Sequence, residues 1–338
     1  MRVAVDAMGG DKAPDEIVEG ALRASNELGI DITLVGKEDV IAPLLSSKPS
    51  QRHIEIIHTP EIIAMDEHPA TAVRKKKDSS IVRGLELLKE GKADAFVSAG
   101  NSGAVMAASL FVLGRCTGID RPAIGTIIPG KEGPVLLIDA GANVDPEPVH
   151  LLQFAFMGSI YAREVMRIGN PKVGLLSNGE EETKGNKLTL QAHKLLKGSN
   201  LNFQGNVEGK DVTKGTVHVI VTDGFTGNVV LKTVEGVAED LVSIIREELT
   251  SGILNKVGAL ILQRAFRKVA QKLDYAEYGG APLLGVRGNV FIAHGRSNAK
   301  AIKNAIRLAH EAASHRIPKL ISDNNIIVTG KEIFQQDL

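Results

Sequence analysis

The chain has a single cysteine, Cys116, among 338 residues. No disulfide can form within it, which fits a reducing cytosol, and a lone cysteine reads as an inert small residue. Net charge is also missing, because Lys plus Arg and Asp plus Glu number 40 each. That balance argues against a protein that coats nucleic acid, although local patches remain possible. No apolar run reaches the ~18 residues that a membrane span needs. The opening RVAVDAMGG has no charged segment followed by an apolar stretch, so no secretory signal is expected. Any membrane contact should be peripheral. Neither MGGDKAP nor AGNSGA has the dinucleotide spacing G-x-G-x-x-G, and no G-x-x-x-x-G-K-[ST] occurs. The nine histidines show no H-E-x-x-H or Cys/His spacing, so neither a metal nor a cofactor is expected.

Against these absences stand 43% apolar residues and 35 glycines, the mark of a globular, turn-rich chain. The length suggests two lobes. A short apolar strand, a Gly-rich turn and a helix recur along the chain. The first copy is Val3 to Asp6, MGGDKAP and a helix through Leu28. The second is Ala95 to Ser98, AGNSG and a helix around Ala104 to Val112; the third is Val135 to Asp139, AGANVDPEP and a helix from Leu151 to Arg167. The fourth is Val217 to Thr222, DGFTGN and a helix from Val229 to Leu249. Further strands are predicted at Ile32 to Val35, Ile54 to Ile57, Val173 to Ser177, Leu283 to Val286 and Val290 to Ala293.

Apolar strands alternating with helices predict an α/β fold, a mostly parallel sheet with helices on both faces. Ligands of such sheets bind outside the carboxyl ends of the strands, so all four Gly-rich turns are expected together at one sheet edge. The stretch Pro129 to Pro134 is the expected lobe boundary. A return crossing near Gly279 to Pro282 gives lobes of 1–130 plus 280–338 and of 131–279. The turns at Asp6 and Asp139 look alike, over too short a stretch to separate duplication from a repeated geometric solution.

Glycine lets backbone N–H groups converge on a ligand, and a following helix adds donors and partial positive charge. The phosphate or substrate candidates are therefore Asp6, Gly9, Gly10, Asn101, Ser102, Gly103, Asn143, Asn178, Asp223, Gly224 and Gly227. Plain turn geometry and local backbone bonding explain such residues equally well. Asp6, Asp11, Asp139 and Asp223 each flank a turn; helix capping is the alternative for all four and the favoured one for Asp11. In SNGEEETKGN, Lys184 is placed in the first turn of a helix, where a cation opposes the helix dipole, so an anionic ligand is the better explanation. Lys232 reads as a solvated helix face, and His294 as structural or solvent-facing.

The stretches VAVDAMGGDKAP, SAGNSGA, LIDAGAN, VTDGFTGNVVLKT, APLLGV and AHGRSN, with SNGEEETKGN, span nearly the whole chain. Together they closely resemble the bacterial phosphate acyltransferase (PlsX) family of phospholipid synthesis. The resemblance implies transfer of a fatty acyl group from acyl-[acyl-carrier-protein] to inorganic phosphate. It also implies a two-lobed fold like that of the isocitrate and isopropylmalate dehydrogenases and phosphotransacetylase, and a homodimer. Lys184 and Asn228 match the positions taken as catalytic in that family. The acyl phosphate would then serve a membrane glycerol-3-phosphate acyltransferase. Phosphate is itself the nucleophile in this chemistry, so the protein's tasks are positioning and charge stabilisation.

Residues 253–273, ILNKVGALILQRAFRKVAQKL, place Leu254, Val257, Leu260, Ile261, Ala265 and Val269 on one broad helical face. Lys256, Arg264, Arg267, Lys268 and Lys272 accompany them with no acid. An anionic membrane surface and a dimer interface fit this pattern equally, and the implied role in lipid synthesis favours the membrane. The expected location is the cytoplasm, at the inner face of the cell membrane. The run Arg74 to Lys77 is a solvated loop or a guide for an acidic carrier protein. Rival readings are a coenzyme A transacylase of the same fold, a decarboxylating dehydrogenase, and a non-catalytic membrane-surface scaffold.

Overall fold

The computed structural model describes residues 1–46, 53–252, 255, 258–264, 266 and 279–324. Its strands are β1 (Arg2–Asp6), β2 (Asp31–Gly36), β3 (Ile54–His58), β4 (Ala95–Ser98), β5 (Ala123–Ile128) and β6 (Val135–Ile138). They continue with β7 (Val173–Leu176), β8 (Phe203–Val207), β9 (Val219–Val221), β10 (Gly280–Leu284) and β11 (Asn289–Ala293). The helices are α1 (Asp15–Leu28), α2 (Glu38–Ser46), α3 (Pro69–Lys75), α4 (Ser80–Lys89) and α5 (Ser102–Val112). After them come α6 (Pro148–Glu164), α7 (Lys187–Lys197), α8 (Gly224–Thr250), α9 (Ala299–Ser314) and α10 (Ile317–Asp323). Residues 258–264 are also helical.

All these strands join one sheet of 11, ordered β3-β2-β1-β4-β11-β10-β5-β6-β9-β7-β8. The expected mostly parallel α/β sheet is present, and the C-terminal β10 and β11 return to lie between β4 and β5. β5 and β8 are strands that the apolar pattern missed, and the strand expected at Leu283 to Val286 begins earlier, at Gly280. The stretch 129–134 is the hairpin turn between antiparallel β5 and β6.

Three consecutive pairings, β11–β10, β10–β5 and β5–β6, are antiparallel. An odd number of reversals inverts strand direction. The carboxyl ends of β1, β4 and β11 therefore face one edge of the sheet, and those of β6, β7 and β9 face the opposite edge. This corrects the expectation that all four Gly-rich turns share one edge.

Helices cover both faces. One continuous apolar core unites α1, α6, α7, α9 and α10 with the sheet across both halves. On the other face, α3, α4 and α5 pack around Phe96 and Leu85, while α8 sets Val230, Leu231 and Val234 against Val135, Leu137 and Ile220. α5 and α8 both lie on this second face.

Candidate functional site

The first loop cluster grows from β1, β4 and β11. Asp6 ends β1 and is buried; it accepts from the Ser98 hydroxyl at 2.7 Å and the Met8 N–H at 3.0 Å. Burial pushes its carboxyl above the ordinary range, against the pull of these donors. Gly9 leaves room for this arrangement, since a Cβ there would collide with the Asp6 carboxylate and lie 2.7 Å from the Gly100 nitrogen. Gly10 takes φ +109°, and the next N–H, from Asp11, donates to the Gly295 carbonyl at 2.9 Å. Asp11 thus joins the β1 loop to the β11 loop. It does not cap α1, whose N-cap position is Pro14.

Asn101 caps α5 by accepting from the Ala104 N–H at 3.0 Å, and its amide donates to the carbonyls of Met65 and Glu67. Both ends of the side chain are committed, so it holds the 64–67 segment and has no donor to spare. Ser102 is exposed at the start of α5, and Gly103 allows Pro69 to approach, with a Cβ placed 2.6 Å from its ring.

The second cluster grows from β6, β7 and β9. Asp139 is fully buried; it accepts from the N–H groups of Ile124, Gly141, Ala142 and Asn143 and from the Asn143 side chain. Burial raises its carboxyl while these donors oppose the shift. The Asn143 amide also donates to the Pro122 carbonyl at 2.8 Å, so it braces the loop instead of facing outward. Asp223 caps α8 by accepting from the Thr226 N–H at 2.8 Å. Gly224 donates its N–H to the Asn143 carbonyl at 2.7 Å, and a Cβ on Gly227 would strike the Asp139 carbonyl oxygen. These glycines seat the start of α8 directly on the β6 loop.

That seating points Asn228 outward. It is exposed, and its amide lies 3.8 Å from where a Cβ on Gly141 would stand. Lys184 lies in the 177–186 loop, not in a helix: Asn186 caps α7 by accepting from the Thr189 N–H at 2.9 Å, so the helix starts afterwards. The cation therefore meets no opposing helix dipole. Glu180 pairs with Lys210 and Glu182 with Lys197, and the loop is tied down by Asn206 donating to the Glu181 carbonyl. Lys184 and Asn178 are exposed. Since β7 and β9 pair in parallel, the Lys184 and Asn228 loops emerge at the same sheet edge.

α8 connects the two clusters. Lys232 follows Asn228 by four residues and shares its helix face. Its ammonium lies 2.9 Å from Nε2 of His294, which follows β11, and 2.8 Å from Glu235. A second tie joins Arg296 and Glu239 at 3.2 Å. The sequence reads Lys232 as a solvated helix face and His294 as structural or solvent-facing; only folding brings the two together across 62 residues.

The carboxylate cluster among the described residues that is compact enough for a metal is Glu180, Glu208 and Asp211. Lys210 already pairs with the first two and Lys214 with the third. Cys116 is buried, its thiol pushed up by burial, and it donates to the Val286 carbonyl. No described helix is long and apolar enough to cross a membrane. Leu260 and Ile261 are 74% and 77% exposed. Leu254, Val257, Ala265 and Val269 lie outside the described residues.

The family model described as "Fatty acid synthesis protein" matches residues 1–320. A phosphate acyltransferase of Heliobacterium modesticaldum is 55% identical, covering 96% of this chain and 97% of its own length. One from Dictyoglomus turgidum is 52% identical, covering 98% of this chain and 99% of its own. The chain belongs to the phosphate acyltransferase family. It is therefore an acyltransferase enzyme of fatty acid and phospholipid synthesis. The fold recurs in a phosphotransacetylase from Streptococcus pyogenes, with TM-score 0.61 and 18% identity over 94% of both chains. A branched-chain phosphotransacylase from Enterococcus faecalis has TM-score 0.58 and 12% identity, over 93% of this chain and 99% of its own. At such identities the likeness concerns the fold.

Proposed function

We propose that this enzyme transfers a fatty acyl group from acyl-[acyl-carrier-protein] to inorganic phosphate, beside the start of α8. The observation that carries the reading is the pair Lys184 and Asn228. Both are exposed at one sheet edge, Lys184 on the loop after β7 and Asn228 in the first turn of the helix after β9. A phosphate oxygen attacks the thioester carbon, the carbonyl oxygen becomes an oxyanion, and the C–S bond then breaks to release the carrier thiolate. Asn228 donates to the oxyanion, and Lys184 offsets the charge of phosphate or oxyanion. No protein nucleophile or cofactor is required. Asn178 shares the loop of Lys184, while Gly9, Gly10, Ser102 and Gly103 belong to the loop cluster at the opposite sheet edge. Asp6, Asn101, Asn143, Asp223, Gly224 and Gly227 build the loops, a narrower role than direct phosphate contact.

The same reading places the product beside a membrane glycerol-3-phosphate acyltransferase. Leu260 and Ile261, followed by exposed Leu262, support contact with an anionic membrane surface from the cytoplasmic side. The apolar stripe on α8 supports a homodimer. The strand order supports two lobes, 1–130 with 280–338 and 131–279, that share one sheet.

The test is phosphate-dependent release of free carrier from palmitoyl carrier protein, run beside palmitoyl-coenzyme A. Faster turnover of the coenzyme A thioester would favour a phosphotransacylase acting on the free coenzyme. Asn228→Ala should lower turnover about 100-fold, the effect of losing one oxyanion donor, and Lys184→Ala at least as much. Folded variants with near-wild-type rates would remove the assigned roles.

A further inference from the structure

The β11 loop surrounds His294 with donors. The Arg296 N–H points at Nδ1 from 3.1 Å, and the Lys232 ammonium faces Nε2 from 2.9 Å. A protonated ring would direct its own N–H groups at these two donors. Burial and Lys232 accordingly hold His294 below its ordinary value; Glu235 from α8 and Asp11 from the β1 loop pull the other way, and Arg296 adds to the depression. The Gly295 carbonyl nearby already accepts from Asp11. Glu235, itself mostly buried at 17% side-chain exposure, is the acceptor that meets Lys232. Two N–H donors, the Lys232 ammonium and the Arg296 main chain, converge on the His294 ring, and an oxyanion accepts from donors of this kind. The cluster also lies one helical turn from Asn228 and beside the Gly9–Gly10 loop, where both halves of the sheet meet.

We propose that Lys232 and His294 form an oxyanion subsite for inorganic phosphate, with Glu235 as an internal counter-ion that phosphate displaces from Lys232. This rests on the acyl-to-phosphate reading for the identity of the ligand. The phosphodiester of a phosphopantetheine arm shares the chemistry, so the experiment separates the two sources. Anion binding and protonation of His294 reinforce each other, because the bound anion accepts from the ring N–H. Binding of an anion whose own charge does not change should therefore tighten as pH falls.

The intact protein is titrated calorimetrically with inorganic phosphate and with sulfate, without acyl donor. Sulfate stays doubly charged between about pH 5.5 and 8, the window in which histidine titrates. Lys232→Met should weaken both anions about tenfold or more, Lys232→Arg should retain most of the affinity, and Glu235→Gln should tighten it. His294→Gln should abolish the tightening of sulfate binding at lower pH. In steady-state assays, the KM for phosphate should rise in Lys232→Met while that for the acyl donor stays within twofold. Phosphate binding by Lys232→Met within twofold of wild type overturns the subsite, as does a rise confined to the donor KM. Persistence of the pH effect in His294→Gln does the same. Circular-dichroism melts check that the variants are folded. Phosphate binding as expected in a protein that makes no acyl phosphate would reject the proposed function and keep the subsite.

Discussion

At Asp6 and Asp139 a buried carboxylate gathers the N–H groups of the loop that follows its strand. The two turns that look alike in sequence thus share a device: a charge that shapes a loop from beneath. Burial raises both carboxyls, and the sign of the pH effect follows. A raised folded value means that the native state holds the proton more readily than the unfolded chain. For Asp6, the stability linked to that proton is full below the unfolded value near 3.8 and is lost as pH rises through the folded one. Asp6→Asn keeps the shape and does not titrate. Its stability relative to wild type should improve steadily as pH rises across that window, measured by urea melts at several pH values. A pH-independent difference would contradict the raised carboxyl. Asp139→Asn should behave otherwise, because its new NH2 must face one or more of the surrounding N–H donors. A loss of about 1–3 kcal/mol is expected at neutral pH. The turns themselves were legible in sequence, since Gly and Asp beside apolar strands have few other uses. Which polar groups face inward was not: the commitments of Asn101 and Asn143 depend on Met65, Glu67 and Pro122, carbonyls brought near only by folding.

α8 shows what an element adds to its residues. Its first turn lies against the β6 loop because Gly224 and Gly227 have no side chain, and that fixes the direction in which Asn228 and Lys232 point. Gly227→Ala should push the helix off the Asp139 carbonyl, costing about 1–3 kcal/mol of stability as overpacking does. Turnover should fall with it, because Asn228 moves. A thermal melt and an initial-rate measurement together check this; wild-type values in both would mean that the contact is not tight. The elements that escaped sequence reading have physical reasons. β8 is an edge strand whose FQGNV carries Gly205 at φ +96° and only partial burial, so it lacks an apolar signature. β5 carries Gly125 and Thr126 within its apolar run, and its partners come from residues 135–138 and 283–284. Its role as the strand between two reversals is a property of those pairings, and no window of sequence contains it.

At the scale of the molecule, the largest unsatisfied feature is apolar. Phe225, Val229, Val237, Leu241, Ile244 and Ile245 are 42–63% exposed along one helix. The 27 residues of α8 extend for about 40 Å. Val230, Leu231 and Val234 in its first half meet the sheet, and Val237, Leu241 and Ile245 continue the same face beyond them. Such a stripe exceeds what a monomer usually leaves in water, and a second copy of the chain would cover it symmetrically. Leu241→Arg combined with Ile244→Arg should therefore shift the protein from dimer to monomer in sedimentation velocity, since charges buried across an isologous interface oppose themselves. An unchanged sedimentation coefficient would remove the proposed dimer across α8. Leu260 and Ile261 are more exposed still, in the helical segment 258–264 with Arg264. Covering them with lipid while α8 is covered by its copy would allow one molecule to satisfy both apolar regions at once. On that arrangement, Leu260→Glu with Ile261→Glu should abolish co-sedimentation with anionic vesicles and leave the dimer intact. Loss of the dimer in this variant would mean instead that the 258–264 segment belongs to the protein interface. Equal sedimentation with vesicles would remove the membrane contact proposed for these residues.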